Sequence, residues 1–247
     1  MSGDERASQA AELNVPSTIA TGDIEVLGAL PNSSNAALLV RCSDGADSSI
    51  AVYKPMRGEA PLWDFPDGTL HRREVAAFVL ARELGWPRVP PTVLRDGPFG
   101  AGSVQLFVTF DPNEHFFTME VERADVFRRV ALFDIAANNA DRKAGHCLLG
   151  DDGEIWVIDH GVCFAVEPKL RTVIWTFVDE PVPGDAVTDL ERARAGLEPG
   201  GALRAELEAL LDRAEVDETA ARIERLLAAG RFPEPEPGVR PFPWPPI

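Results

Sequence analysis

The segment TLHRREVAAFVLARELG, residues 69–85, constrains this chain more than any other. Leu70, Ala77, Phe78, Ala81 and Leu84 recur at helical spacing, Thr69 stands where an N-cap belongs, and Gly85 stands at the C′ position. On both sides of this helix the pattern changes to that of strands. IEVLGALPNSSNAALLV, from Ile24, sets apolar runs around a turn-rich centre, Gly28 to Asn35, which predicts a hairpin with a long loop. IAVYKP alternates Ile50, Val52 and Lys54 on one face with Ala51 and Tyr53 on the other, and stops at Pro55. PPTVLRD and GSVQLFVTF predict two further strands around the glycine-rich turn DGPFGAG. The order is β-β-β-α-β-β, which places the chain in the α+β class.

The second half reads differently. A helix is expected at about 120–137, with Val126, Val130, Leu132 and Phe133 among its apolar positions. CLLGDDGEIWVID then predicts a hairpin whose acidic turn closes on Gly153, so that His146 meets the neighbourhood of Val157 to Asp159. Residues 186–230 carry amphipathic helix patterns, and RFPEPEPGVRPFPWPPI predicts extended or polyproline conformation. The expected organisation is a flexible stretch at 1–21, one lobe at 22–110, a second at 111–230 and a proline-rich tail at 231–247. No internal repeat is visible.

A chain of 247 residues is long enough for one bilobal unit or two small domains. Its 24 basic and 40 acidic residues leave a net charge of −16, a field that repels nucleic acid and anionic membranes. No apolar run approaches the roughly 18 residues of a membrane span. The polar, acidic start and three scattered cysteines, Cys42, Cys147 and Cys163, suit a cytoplasmic protein. Arginine supplies nearly all the positive charge. The three lysines, Lys54, Lys143 and Lys169, therefore mark places where a compact ammonium matters, unless their positions are chance.

A strand lysine, a helix glutamate, a turn-rich hairpin loop and two separated aspartates are what phosphoryl transfer needs, because it works by positioning and charge neutralisation. DRKAGH followed by IDHGVCF, with AVYKP and REVAAF in support, resembles the phosphatidylinositol 3/4-kinase-like branch of the protein-kinase-like fold, including its small actinobacterial members and the plant gamma-type phosphatidylinositol 4-kinases. The resemblance covers about residues 24–180 and implies a bilobal fold: a small N-lobe of antiparallel sheet plus helix, and a mostly helical C-lobe.

It also implies roles. Lys54 would contact ATP phosphates with Glu74 as its helix partner, although Glu74 also reads as an ordinary solvated residue. Ser33, Ser34 and Asn35 would cover the phosphates; Gln105 and Phe107 would lie in the segment against which adenine stacks, a segment that reads equally as a plain core strand. Asp141 would receive the acceptor proton, Lys143 would stabilise the phosphoryl group in flight, and Asp159 would hold Mg²⁺ or Mn²⁺. Where the family usually has a metal-binding Asn, this chain has His146, a softer ligand, which implies a changed metal preference, a single metal on Asp159, or impaired catalysis.

Two rival chemistries are weaker. His146, Cys147, His160 and Cys163 have ligand-like spacing for zinc, but neighbours on a strand point to opposite faces. No glycine-flanked nucleophile stands at a strand-to-helix turn, as a hydrolase would require. The expected function is ATP-dependent phosphotransfer to a hydroxyl acceptor, a protein Ser/Thr or a small polar molecule rather than a lipid. The alternatives are a nucleotide-binding pseudokinase scaffold and AMP transfer. Neither the identity of the acceptor nor the oligomeric state can be read from the sequence.

Overall fold

The structure, a computed structural model, describes residues 15–30, 36–238 and 240–247. Ser33, Ser34 and Asn35, expected over the phosphates, lie outside the described residues. Two compact units divide the chain: Met1–Val75 with Pro90–Val108, and Ala76–Val89 with Thr109–Ile247.

The first unit is an antiparallel sheet of β1 (Asp23–Ala29), β2 (Leu38–Asp44), β3 (Asp47–Pro55), β4 (Thr92–Gly97) and β5 (Gly100–Leu106), in the order β1-β2-β3-β5-β4. Ala51 and Tyr53 on one face of β3 are fully buried with Val40, Cys42 and Val104. Lys54 therefore projects from the opposite face. Gly102 lies beside it in β5, where any Cβ would stand 2.5 Å from the Lys54 carbonyl oxygen. Close approach of the two strands is thus what glycine permits here.

Residues 15–21 correct the expected flexible stretch at 1–21. Ser17–Thr21 form helix α1, with Ile19 fully buried. Thr18 Oγ1 lies 2.7 Å from Ser49 Oγ, and Arg95 donates to the carbonyls of Ile19 and Gly22. Buried apolar side chains and satisfied helix-end carbonyls hold this segment down.

Helix α2 (Leu70–Leu84) ends as expected, with Gly85 at φ +82° and its amide bonded to Ala81 O. Its last nine residues group with the second unit, so that 76–89 leaves the expected lobe of 22–110. The cause lies in its partners: Arg82 pairs with Glu206, the Trp86 indole donates to Asp189, and Arg192 donates to the carbonyls of Glu83 and Leu84.

The rest of the second unit holds α3 (Phe116–Met119), α4 (Ala124–Ala137), the hairpin β6 (Cys147–Leu149) and β7 (Ile155–Val157), and helices α5 (Gly184–Gly196), α6 (Ala202–Glu208) and α7 (Arg213–Ala229). Cys147 pairs with Val157, and the Ile158 amide donates to His146 O, so the hairpin joins the two ends of the motif. The proline-rich residues after 231 pack back on this unit: Pro241 and Pro246 carbonyls accept from the amides of Thr172 and Ala144. Phe242 and Trp244 face outward, 48% and 75% exposed. Among the described residues no helix is long and apolar enough to cross a membrane.

Candidate active site

In the first unit, β3 presents Lys54 and α2 presents Glu74, whose side chain is 4% exposed, and the two form an ion pair. The helix is held at its start by Glu59. That carboxylate accepts from the amides of Leu70 (3.2 Å) and His71 (2.8 Å) and lies 2.6 Å from His71 Nδ1. Burial works to raise the Glu59 pKa, and the His71 and backbone donors outweigh it, so the group is held below its ordinary value. Thr69, expected to cap, instead donates its hydroxyl to Pro66 O. Phe65 is buried against Arg73, whose guanidinium sits 5.1 Å from the ring centre, while Trp63 is 94% exposed.

Gln105 is a correction. It is a buried residue of β5, the strand between β3 and β4, and its side chain donates to Thr92 Oγ1 at 2.8 Å. The resemblance implies a segment against which adenine stacks, and the alternative is a plain core strand; the Gln105 side chain, bonded to the cross-strand hydroxyl, fits the core strand. Phe107 follows that strand, half-buried, with its amide donating to Ile50 O.

In the second unit, a buried ionic hub organises the loop after α4. Asp134 and Arg142 are both fully buried. The Asp134 carboxylate accepts from Arg142 Nε and Nη2 and from Asn139 Nδ2, at 2.9–3.1 Å. Arg142 also donates to Ile158 O at 2.9 Å and to His160 Nε2 at 2.7 Å. Burial alone would lower the Arg142 pKa; Asp134 outweighs it and keeps the guanidinium firmly charged. Asn139 Oδ1 accepts the Asp141 amide at 3.0 Å. Arg142 and Arg171–Val173 bond edge to edge, so the loop and the later segment form one surface.

On that surface Lys143 Nζ lies 3.2 Å from Asp141 Oδ2. Burial raises the Asp141 pKa, Lys143 pulls it down, and Asp159 pushes it up again; the net shift is upward. Asp159 sits at φ +63°, a left-handed conformation that Asp tolerates better than most residues. His146 Nδ1 accepts the Lys143 amide at 3.3 Å, and Nε2 lies 3.4 Å from Asp159 Oδ2. With Nδ1 used as an acceptor, the neutral ring carries its proton on Nε2, facing the carboxylate. In that state the His146 ring orients the Asp159 carboxylate.

Among the described residues no group of three or more His, Cys, Asp or Glu side chains comes together to hold a metal. Zinc on His146, Cys147, His160 and Cys163 therefore has no support. Burial pushes the Cys147 thiol up to about 12, away from the thiolate that a metal would need. Asp134, Asn139, Arg142 and Thr172 escaped the reading of the sequence. Their one visible signal is an aspartate on an otherwise apolar helix face, in VALFDIAANNADR.

No protein-family model matches the chain. Protein Rv2133c of Mycobacterium tuberculosis is 37% identical over 265 aligned positions, covering 92% of this chain and 93% of that protein. The chain belongs to the Rv2133c family. Its similarity extends, at 29% identity over 167 positions, to phosphatidylinositol 4-kinase gamma 4 of Oryza sativa subsp. japonica; this match takes in 53% of the chain and only 30% of the rice protein. Among solved structures, the Helicobacter pylori proinflammatory kinase CtkA aligns over 85% of this chain and 93% of its own at a TM-score of 0.51 and 11% identity. That likeness concerns the fold alone: this member of the Rv2133c family is an α+β protein built like a kinase.

Proposed function

We propose that this chain is an ATP-dependent phosphotransferase with a phosphatidylinositol 3/4-kinase-type fold, passing the γ-phosphate to a hydroxyl acceptor. One observation carries this reading: Asp141 and Lys143 are paired at 3.2 Å on a loop anchored from beneath by buried Asp134 and Arg142, with the charge of Asp159 felt at Asp141. Asp141 accepts the proton of the attacking hydroxyl. As the new O–P bond forms and the β,γ-bridging bond breaks, the Lys143 ammonium balances charge on the phosphoryl group and ADP departs. Lys54, held by Glu74, steadies the ATP phosphates, as a strand ammonium is suited to do.

A carboxylate is a hard oxygen ligand, and Mg²⁺ usually takes only one or two from a protein, completing its shell with water and phosphates. Asp159, with a 46% exposed side chain, fits that demand, and a cation there would supply further charge neutralisation. The protonated Nε2 of His146 does not fit as a second ligand.

The acceptor is a protein Ser/Thr or a small polar molecule. The rice relative carries a lipid kinase name, but the segment after Asp159 offers little to an inositol phosphate. Of its two basic residues, Lys169 is buried and Arg171 half-buried, while Glu167, Asp179, Glu180 and Asp185 add negative charge. The state of His146 favours a second reading, a nucleotide-binding scaffold without turnover.

Intact mass after incubation with ATP and Mg²⁺ or Mn²⁺, followed alongside ATP consumption with a general protein acceptor, separates these. Phosphate transfer that is lost in Asp141→Asn, with ATP binding retained, is the expected result. An AMP adduct, or binding with no consumption, overturns it.

A further inference from the structure

The surface that carries Asp141 and Lys143 is already occupied, by the chain's own residues 241–246. Pro246 O accepts the Ala144 amide at 2.8 Å, one residue past Lys143. Pro241 O accepts the Thr172 amide and the Trp175 indole N–H, each at 3.0 Å. These three donors lie along the loop that carries Asp141 and Lys143 and along the segment Arg171–Trp175 that bonds to it.

The occupant has a definite chemistry. Pro241, Pro243 and Pro246 turn toward the unit, with Pro243 buried, while Phe242 and Trp244 point away. Proline has no N–H, so such a segment offers carbonyls only, and its preset φ lets it lie extended with little further loss of freedom. Donors that meet the Pro241 and Pro246 carbonyls, one of them the indole of Trp175, suit an extended proline-rich peptide, the kind that docks in aromatic-lined grooves. Residues 231–247 contain no Ser, Thr or Tyr, so nothing in the bound segment can accept a phosphate.

We infer that the Ala144, Thr172 and Trp175 donors form a docking groove for extended proline-rich peptides, and that residues 241–246 fill it as a built-in pseudosubstrate which acceptor proteins bearing such a segment displace. The inference rests on the phosphotransfer reading for its consequence, but the groove itself can be tested apart from turnover.

The full chain with Pro241, Pro243 and Pro246 all changed to Gly, and separately with Trp175→Phe, is compared with the wild type by amide hydrogen exchange. In the triple variant Ala144 and Thr172 are expected to exchange faster, and a synthetic peptide of residues 240–247 is expected to slow them again, whereas a peptide of equal length made of Gly and Ser does not. The KM for a protein acceptor carrying a proline-rich segment should fall about tenfold in the triple variant, with kcat and ATP affinity unchanged, as when a groove free a tenth of the time becomes fully available; Trp175→Phe, which removes a groove donor, should instead raise the exchange of Thr172 and weaken protection by the peptide. Unchanged exchange in the triple variant, failure of the peptide to restore protection, an unmoved KM, or a fall in kcat instead each overturns the proposal. Absence of transfer to any acceptor from any of these proteins, with peptide protection intact, would instead count against the phosphotransfer reading.

Discussion

Asp141 sits between opposing influences. Burial and Asp159 disfavour its charged form, and Lys143, 3.2 Å away, favours it. A general base works only when ionised, so the acid limb of kcat/KM is expected above the ordinary aspartate value of about 3.9. Lys143→Met removes the one strong opposing cation and is expected to move that limb to still higher pH while lowering kcat; a pH–rate profile that keeps its position would sink the pairing. Stability has the matching sign. A carboxyl with a raised folded pKa favours the fold below its unfolded pKa and loses that contribution as pH rises through the folded one. The Asp134–Arg142 pair beneath has another role. Removing one partner of such a buried pair leaves a stranded charge and costs about 3–5 kcal/mol. Beyond one aspartate on an apolar helix face the hub left no trace in the sequence, because nothing in the spacing of Asp134 and Arg142 tells that both turn inward, whereas Asp141 and Lys143 stand in one short motif and the structure pairs them.

At the scale of elements, helix α2 was readable from its apolar spacing and from Gly85. Its start was not. The residue that holds the first turn, Glu59, lies eleven positions before Leu70 in a loop rich in Pro and Gly, and no local pattern links them. A carboxylate at a helix N-terminus satisfies free amides and complements the dipole. Glu59→Gln is expected to lower stability by about 1–2 kcal/mol by urea denaturation at neutral pH. Because the folded pKa of Glu59 is depressed, that contribution is present above its unfolded pKa and disappears as pH falls through the folded value. The variant and wild type should therefore converge in acid; a gap that persists there would show that packing, not charge, is lost. The β6–β7 hairpin was legible for a simpler reason: its acidic turn and Gly153, at φ +78°, are local signals.

Across the whole molecule, 40 acidic residues face 24 basic ones, and sixteen negative charges are left without a cation. Surface pairs such as Arg41–Glu25 and Arg231–Asp179 are screened by solvent and contribute little, so screening them matters less than screening the excess. The Tm is expected to rise between low and physiological salt; a fall would mean that the ion pairs outweigh the repulsion. Division of the chain was only partly legible, since the side chains that tie 76–89 to the second unit meet partners such as Glu206 and Asp189, more than 100 positions later. The proline-rich residues have one more consequence. Four of the seven residues from 241 to 247 are proline, so the ribbon formed by Arg142 and Arg171–Val173 ends against a neighbour poor in donors. A second chain seeking to add its own strand there finds few N–H groups to pair with, and sheet growth between copies, the first step of aggregation, stops at that border.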